Sequence, residues 1–195
     1  MKVVLKIAFV MILIGITGCT PHLSVVGSSC NFISDFHHAP ILNSVGIVIN
    51  GAMKHDSVRA VIQEGFLQYD FEFRIGEDVS RTLPLYIEKL FSRVTVLEDI
   101  ENNSNYDFIL VPETSSSRAI AWIRPSAAPS YELFINLKII IIRDGKIYSV
   151  LNIVDKTRND IPAFSNTDEL RTNLMRDDYE KLLARIYYKL GDALY

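Results

Sequence analysis

Residues 131–154 read YELFINLKIIIIRDGKIYSVLNIV and carry the clearest structural signal in the chain. Apolar side chains recur at every second position from Tyr131 to Ile141, with mostly polar residues between them. A period of two is typical of a strand that buries one face. Asp144–Gly145 follows, and this dipeptide is favoured in two-residue hairpin turns because both turn positions need a positive φ. The stretch therefore predicts a β-hairpin whose second strand covers residues 147–154.

The chain before the hairpin predicts further strands and one helix. Residues 68–75, QYDFEFRI, alternate between apolar and polar and predict a strand. Shorter strands are expected at 45–49, 94–97, 106–111 (ended by Pro112) and 119–123. Residues 56–65 are ambiguous and would fit a short helix. Between these strands, apolar residues at helical spacing predict a helix over 76–91: Val79, Leu83, Tyr86, Ile87 and Leu90.

A second helix is expected at the C-terminus. Thr167 or Asp168 can cap its start, and the helical pattern continues to Leu194. One apolar stripe lies opposite a charged face, and it comprises Met175, Tyr179, Leu182, Ile186, Leu190 and Leu194. The expected fold class is α+β: a two-layer sandwich with a mainly antiparallel sheet and two main helices packed on one face. Residues 44–195 are expected to form this single domain.

The N-terminus reads MKVVLKIAFVMILIGITGC over residues 1–19. Lys2 and Lys6 precede a short apolar core and a small-residue exit, which are the parts of a secretory signal peptide. The apolar run is about half the ~20 residues of a membrane-spanning helix. Residues 16–19, ITGC, resemble the lipobox of bacterial lipoproteins. The resemblance implies a signal peptide at 1–18 and an acylated Cys19 that anchors the chain to a membrane. The alternatives are an ordinary signal peptide cut near Gly18 and an uncleaved anchor.

The segment after Cys19 predicts a flexible tether. Residues 19–43 contain scattered Pro, Gly and Ser without a sustained period. In lipoproteins of cells with two membranes, an Asp after the acylated Cys resembles an inner-membrane retention signal, whereas Thr20 and Pro21 follow here. This analogy favours the outer membrane and its periplasmic face. Cys30 would have no partner for a disulfide within the chain once Cys19 is acylated, so it would be a free thiol or form an intermolecular bond.

Charge and motif content exclude several classes of function. Removing residues 1–18 takes away Lys2 and Lys6, so the formal net charge changes from −3 to −5, and we expect no nucleic-acid partner. Asp35, His37 and His38 are residue types that bind metal ions. Consecutive side chains of an extended segment point in opposite directions, however, which disfavours a shared metal ion. Residues 115–117, SSS, have no local base or oxyanion site. We therefore expect no catalytic residues, no metal and no cofactor, and hence no enzyme.

Trp122 and Arg124, beside a Pro-rich loop, are residue types enriched at protein interfaces, and we take them as the candidate partner-binding residues. A Trp in the core at a sheet edge would explain Trp122 equally well.

Four stretches give the body its likeness to small periplasmic accessory lipoproteins of bacterial envelope machines: FEFRIGEDV, FSRVTVLED, YDFILVPE and LKIIIIRDGKIYS. The resemblance implies a non-enzymatic scaffold or assembly factor that binds envelope proteins. The alternative is a carrier of a lipid or another apolar ligand, which the doubly apolar run at residues 139–142 suggests.

Overall fold

The structure of the protein is a computed structural model that describes residues 22–27, 41–64, 67–100, 105–122, 129–161 and 168–194. Within these ranges nine strands and three helices follow one another along the chain. In order they are β1 His22–Val25, β2 Ile41–Val48, α1 Gly51–Lys54, β3 Val58–Glu64, β4 Leu67–Phe73, α2 Ile75–Leu90, β5 Phe91–Leu97, β6 Phe108–Glu113, β7 Arg118–Trp122, β8 Ser130–Arg143, β9 Lys146–Asp160 and α3 Asp168–Leu194.

The predicted hairpin is confirmed as the pair β8 and β9. Its ladder runs from Arg143 opposite Lys146 to Ser130 opposite Asp160. Asp144 and Gly145 connect the strands with φ values of 51° and 70°, as the turn chemistry requires. β9 extends through residues 155–160, beyond the end that the sequence predicts. Their polar side chains suit an exposed strand, because diagonal neighbours such as Glu132 and Lys156 form an ion pair at 3.3 Å.

Two sheets of mixed orientation replace the single, mainly antiparallel sheet that the sequence predicts. The six-stranded sheet has the order β5-β2-β6-β8-β7, with β9 on the other edge of β8, and the three-stranded sheet has the order β1-β4-β3. β2 is parallel to both β5 and β6, and β1 is parallel to β4. Parallel neighbours are joined by long crossovers, so no local turn signal in the sequence identifies them. The α+β class is confirmed.

β6 and β7 lie one after the other along the same edge of β8. β6 pairs with the C-terminal part of β8 and β7 with its N-terminal part. Although the sequence predicts that Pro112 ends β6, the strand continues through it to Glu113, and Pro112 lies opposite Ile139. A proline removes only its own N–H from a ladder, so one near a strand end is tolerated.

Two segments form strands that the sequence did not predict. β1 lies inside the predicted tether, where Val25 is fully buried and His22 pairs with Asp70 of β4. β3 occupies the segment that would have fitted a short helix, and it pairs with β4 from Val58 to Glu64. Both depend on contacts with β4, which a local pattern does not reveal. Residues 22–25 and 41–43, which the sequence predicts as part of a flexible tether, thus belong to β1 and β2.

Both main helices are confirmed. In α3 the apolar stripe from Met175 to Leu190 is buried, and the helix packs on β9, β8 and β1. α2 meets α3 where the hydroxyls of Thr82 and Tyr187 lie 2.6 Å apart and the Tyr86 and Tyr187 ring centroids are 5.0 Å apart. None of the helices in the described ranges combines the length and the apolar character that crossing a membrane requires.

Candidate functional site

The predicted site residues divide between described and undescribed parts of the chain. Cys19 and Arg124 lie outside the described residues, as do Cys30 and residues 35–38. Trp122 is described, at the end of β7, where it is half-buried. Within the described ranges, no three His, Cys, Asp or Glu side chains are grouped to hold a metal ion.

Trp122 lies on the outward face of the six-stranded sheet. The Arg158 guanidinium on β9 is 4.7 Å from the centroid of its indole ring, a cation–π distance. Arg118 stacks on Phe134 in the same way, at 5.1 Å. The strands therefore bring Trp122 beside Arg158, a contact between distant positions that the sequence alone does not predict.

The outward face as a whole mixes exposed apolar side chains with ion pairs. We define it by the even-numbered residues of β7 and β8, by those of β9 from Val150 onward, and by Glu113 of β6, which pairs with Lys138; the odd-numbered residues of β8 face the core. Ile120, Val150 and Val154 on this face are 38%, 42% and 40% exposed. Among them lies the Lys138–Glu113 ion pair, whose charged atoms are 2.9 Å apart. Apolar area bordered by charge is typical of protein-binding surfaces.

An apolar cleft opens at the end of the six-stranded sheet where β2, β5 and β6 begin. It holds about 370 Å³, and its walls include Ile41, Phe91, Phe108, Leu151 and Leu194. The volume lies in the range of ligand pockets in proteins, roughly 300–1,000 Å³. The last turn of α3 closes one side. The cleft can accept an aliphatic or aromatic group.

Tyr148 shapes the rim of this cleft. The β8–β9 register shifts between Ile141 and Ile142, which leaves Tyr148 as an extra residue of β9. Its ring packs at 6.1 Å from that of Phe108, and the Arg143 guanidinium lies 5.5 Å from the Phe108 ring. A bulge re-aims a side chain in this manner. The alternating pattern of β9 gave no sign of the bulge, so sequence reasoning missed the cleft.

A network of charged side chains covers the outer face of the three-stranded sheet. His22 lies 3.4 Å from Asp70 and 3.3 Å from Glu72, while Arg59 lies 3.4 Å from Glu72. Burial acts to raise the pKa of Glu72, but hydrogen bonds from Ser57, His22 and Arg59 outweigh it and hold the pKa below its ordinary value. The network joins β1, β3 and β4.

Asp78, in the first turn of α2, is completely buried and fixes the end of β1. One carboxylate oxygen accepts the Gly27 N–H at 2.9 Å, and the other accepts a bond from Arg81 at 2.8 Å. Arg81 also donates to the Gly27 carbonyl. Burial raises the pKa of Asp78, and the bonds from Gly27 and Arg81 offset part of this rise. We call this set the Asp78–Gly27 contact.

Ser117, the last residue of the serine cluster at 115–117, has a structural partner. The Ser117 hydroxyl accepts the Asn136 N–H at 3.1 Å, and the neighbouring Thr114 donates to Asp56 at 2.7 Å. These bonds satisfy polar groups where β6 gives way to β7. A small polar cleft of about 280 Å³ lies nearby and includes His55 and Glu77. In this cleft the Ser57 hydroxyl donates to the Glu72 carboxylate at 2.9 Å.

No protein-family model matches the chain, and no curated protein matches it. Several solved structures resemble it, among them one from Xanthomonas campestris and one from Chlamydia trachomatis. Protein XCC0632 from Xanthomonas campestris, described under the family model DUF330, matches with a TM-score of 0.52 and 9% identity over 87% of this chain and 91% of that one. The hypothetical protein CT253 from Chlamydia trachomatis matches with a TM-score of 0.41 and 10% identity over 77% of this chain and 96% of that one. At such low identity, the likeness to XCC0632 concerns the fold alone.

Proposed function

We propose that this chain is a lipoprotein anchored through acylated Cys19, on the periplasmic face of an outer membrane, and that its body is a non-enzymatic accessory factor of a cell-envelope complex. The ITGC sequence ending at Cys19 supports the anchor. Several acyl chains give durable attachment, whereas one myristoyl chain binds only marginally. A two-layer packing with α2 and α3 on one face would leave the opposite face of the six-stranded sheet for a protein partner.

The observation that carries the accessory role is the outward face itself. Ile120, Val150 and Val154 are exposed in a row of strands that also carries Trp122. Tryptophan and arginine are frequent hot-spot residues of interfaces, and here Arg158 stacks on the indole ring. The partner surface is thus centred on Trp122, and Arg124 follows it in the chain.

Partner capture from intact cells tests this role. Trp122→Ala, Ile120→Thr and Arg124→Ala are each expected to reduce recovery of crosslinked envelope proteins by about tenfold or more, as loss of a hot spot does. Leu85→Ala is the matched control because Leu85 is 43% exposed on α2, away from this face. Circular dichroism checks that each variant folds. Unchanged recovery of every partner by all three variants would exclude this surface.

The apolar cleft favours a second candidate function, the carrying of a lipid or another apolar ligand. Native mass spectrometry of the purified mature chain tests it. Leu151→Trp would fill the cleft and abolish a bound apolar mass, while Val150→Trp, on the outward face, would retain it. Protein without any bound mass would argue against the carrier.

A further inference from the structure

Very little chain separates the anchor from the folded body. β1 begins at His22, so only Thr20 and Pro21 lie between it and Cys19. Three residues of fully extended chain reach at most about 11 Å. The first residue of β1 must therefore lie within about that distance of the Cα atom of Cys19.

β1 is built into the body. Leu23 lies opposite Phe71 in a parallel ladder with β4, and the Val25 side chain is fully buried. The Val25 carbonyl accepts the Arg74 N–H at 3.3 Å. Two residues after the end of β1, the Asp78–Gly27 contact holds the chain against α2. A longer linkage between Cys19 and the body would require β1 to detach and break all of these contacts.

The length of α3 gives the distance between the part of the body that carries β1 and the apolar cleft. Near its start, the Arg171 guanidinium is 4.7 Å from the ring centroid of Tyr69, one residue before the Asp70 that pairs with His22. Near its end, Leu194 lines the apolar cleft. At a rise of 1.5 Å per residue, these two points of α3 are about 34 Å apart. The start of β1 and the cleft thus lie near opposite ends of α3.

We propose, on the basis that Cys19 is acylated as proposed above, that the body rests directly on the headgroup layer of its own bilayer through the end that carries β1 and the first turns of α3. The cleft then faces away from the membrane. Leu170 and Leu174, one helical turn apart, are 44% and 39% exposed at the bilayer-facing end. Asp168 and Glu169 lie beside them, which favours a zwitterionic headgroup surface over an anionic one.

This orientation decides where an occupant of the cleft comes from. The cleft mouth stands about 34 Å from the end seated on lipid, beyond the reach of acyl chains in the same bilayer. An apolar group must therefore arrive from the aqueous side, carried by a protein segment or a soluble donor.

Photo-crosslinking in vesicles tests the orientation. Acylated full-length protein is reconstituted into vesicles of phosphatidylethanolamine and phosphatidylcholine, with benzoylphenylalanine in place of Leu174 or of Ile147. Ile147 is the control because it is 67% exposed and directly precedes Tyr148, which lines the cleft. We expect at least about fivefold more lipid adduct from position 174. A 20-residue Gly/Ser spacer between Pro21 and His22 should remove most of that difference, since such a spacer reaches about 25 Å.

The outcomes separate this inference from the proposed function. Absence of acyl groups on the purified protein, read from its intact mass, would refute the anchor and with it the proposed function. Acylated protein that gives equal lipid adducts at positions 174 and 147 would overturn the orientation alone. A spacer that leaves the fivefold difference intact would also overturn the inference, because the short linkage would then not determine the orientation.

Discussion

At the scale of single residues, Asp78 is a buried acceptor of hydrogen bonds next to the end of β1. Burial raises the pKa of its carboxyl group, and the bonds from Gly27 and Arg81 offset part of this rise. What it supplies is acceptors for the Gly27 N–H and for Arg81. A buried N–H that loses its acceptor costs about 1–3 kcal/mol.

Asp78→Ala should therefore lower the free energy of unfolding by about 2 kcal/mol, measured by urea denaturation. It should also speed hydrogen exchange at residues 23–25, because the hydrogen bond that holds the chain at the end of β1 against α2 is lost. Asp78→Asn should cost less, since its amide oxygen still accepts from Gly27 and Arg81 can turn to solvent. The control is Asp177→Ala, at an exposed position of α3. Exchange at β1 that does not change in Asp78→Ala would contradict the role of the Asp78–Gly27 contact.

Residue identity made parts of the candidate site predictable and left others hidden. Trp122 could be singled out from its residue type and its neighbours in the sequence. Its stacking partner Arg158 is 36 positions away and lies beside it only because β7 and β9 both pair with β8. His22 lies within residues 19–43, which the sequence predicts as a tether, and only the parallel pairing with β4 places it beside Asp70 and Glu72. Long-range contacts of this kind carry no local signature.

At the scale of elements, the close approach of α1 and α2 depends on a missing side chain. A Cβ atom on Gly76 would lie 1.8 Å from the Met53 carbonyl oxygen, and the Gly76 N–H donates to the Asp56 carbonyl at 2.9 Å. The contact is between backbones, so a side-chain rotation does not relieve it.

Gly76→Ala should consequently destabilise the protein by about 3 kcal/mol or more in urea denaturation. Gly51→Ala is the matched control, because a Cβ atom there meets nothing within 4 Å, and its effect should stay within about 0.5 kcal/mol. Comparable midpoints for the two variants would show that α1 and α2 do not meet as described.

The elements that sequence patterns predicted correctly are those whose signal is local. The β8–β9 hairpin carries its own alternation and its own turn, and α2 and α3 carry apolar residues at helical spacing. β1 has only four residues, and β3 alternates too weakly to exclude a helix. Their pairing with β4 stabilises them, so no pattern within either segment could have predicted them.

At the scale of the whole molecule, local signals established the α+β class but not the arrangement of its strands. β2 pairs in parallel with β5 and β6, and the connections between these strands contain entire helices and strands. The division into two sheets depends on how these elements pack. The apolar cleft arises only after β2, β5, β6 and α3 come together. A site assembled from the ends of distant elements could not be predicted from the order of residues.

The central claim is that acyl chains on Cys19 hold this body at a membrane outside the cytoplasm. The most direct measurement is metabolic labelling with an alkyne palmitate, followed by separation of membranes from soluble protein. The parent chain and Cys30→Ala should both take up label and sediment with membranes, while Cys19→Ala should do neither. A Cys19→Ala variant that is labelled and fractionates like the parent would contradict the account.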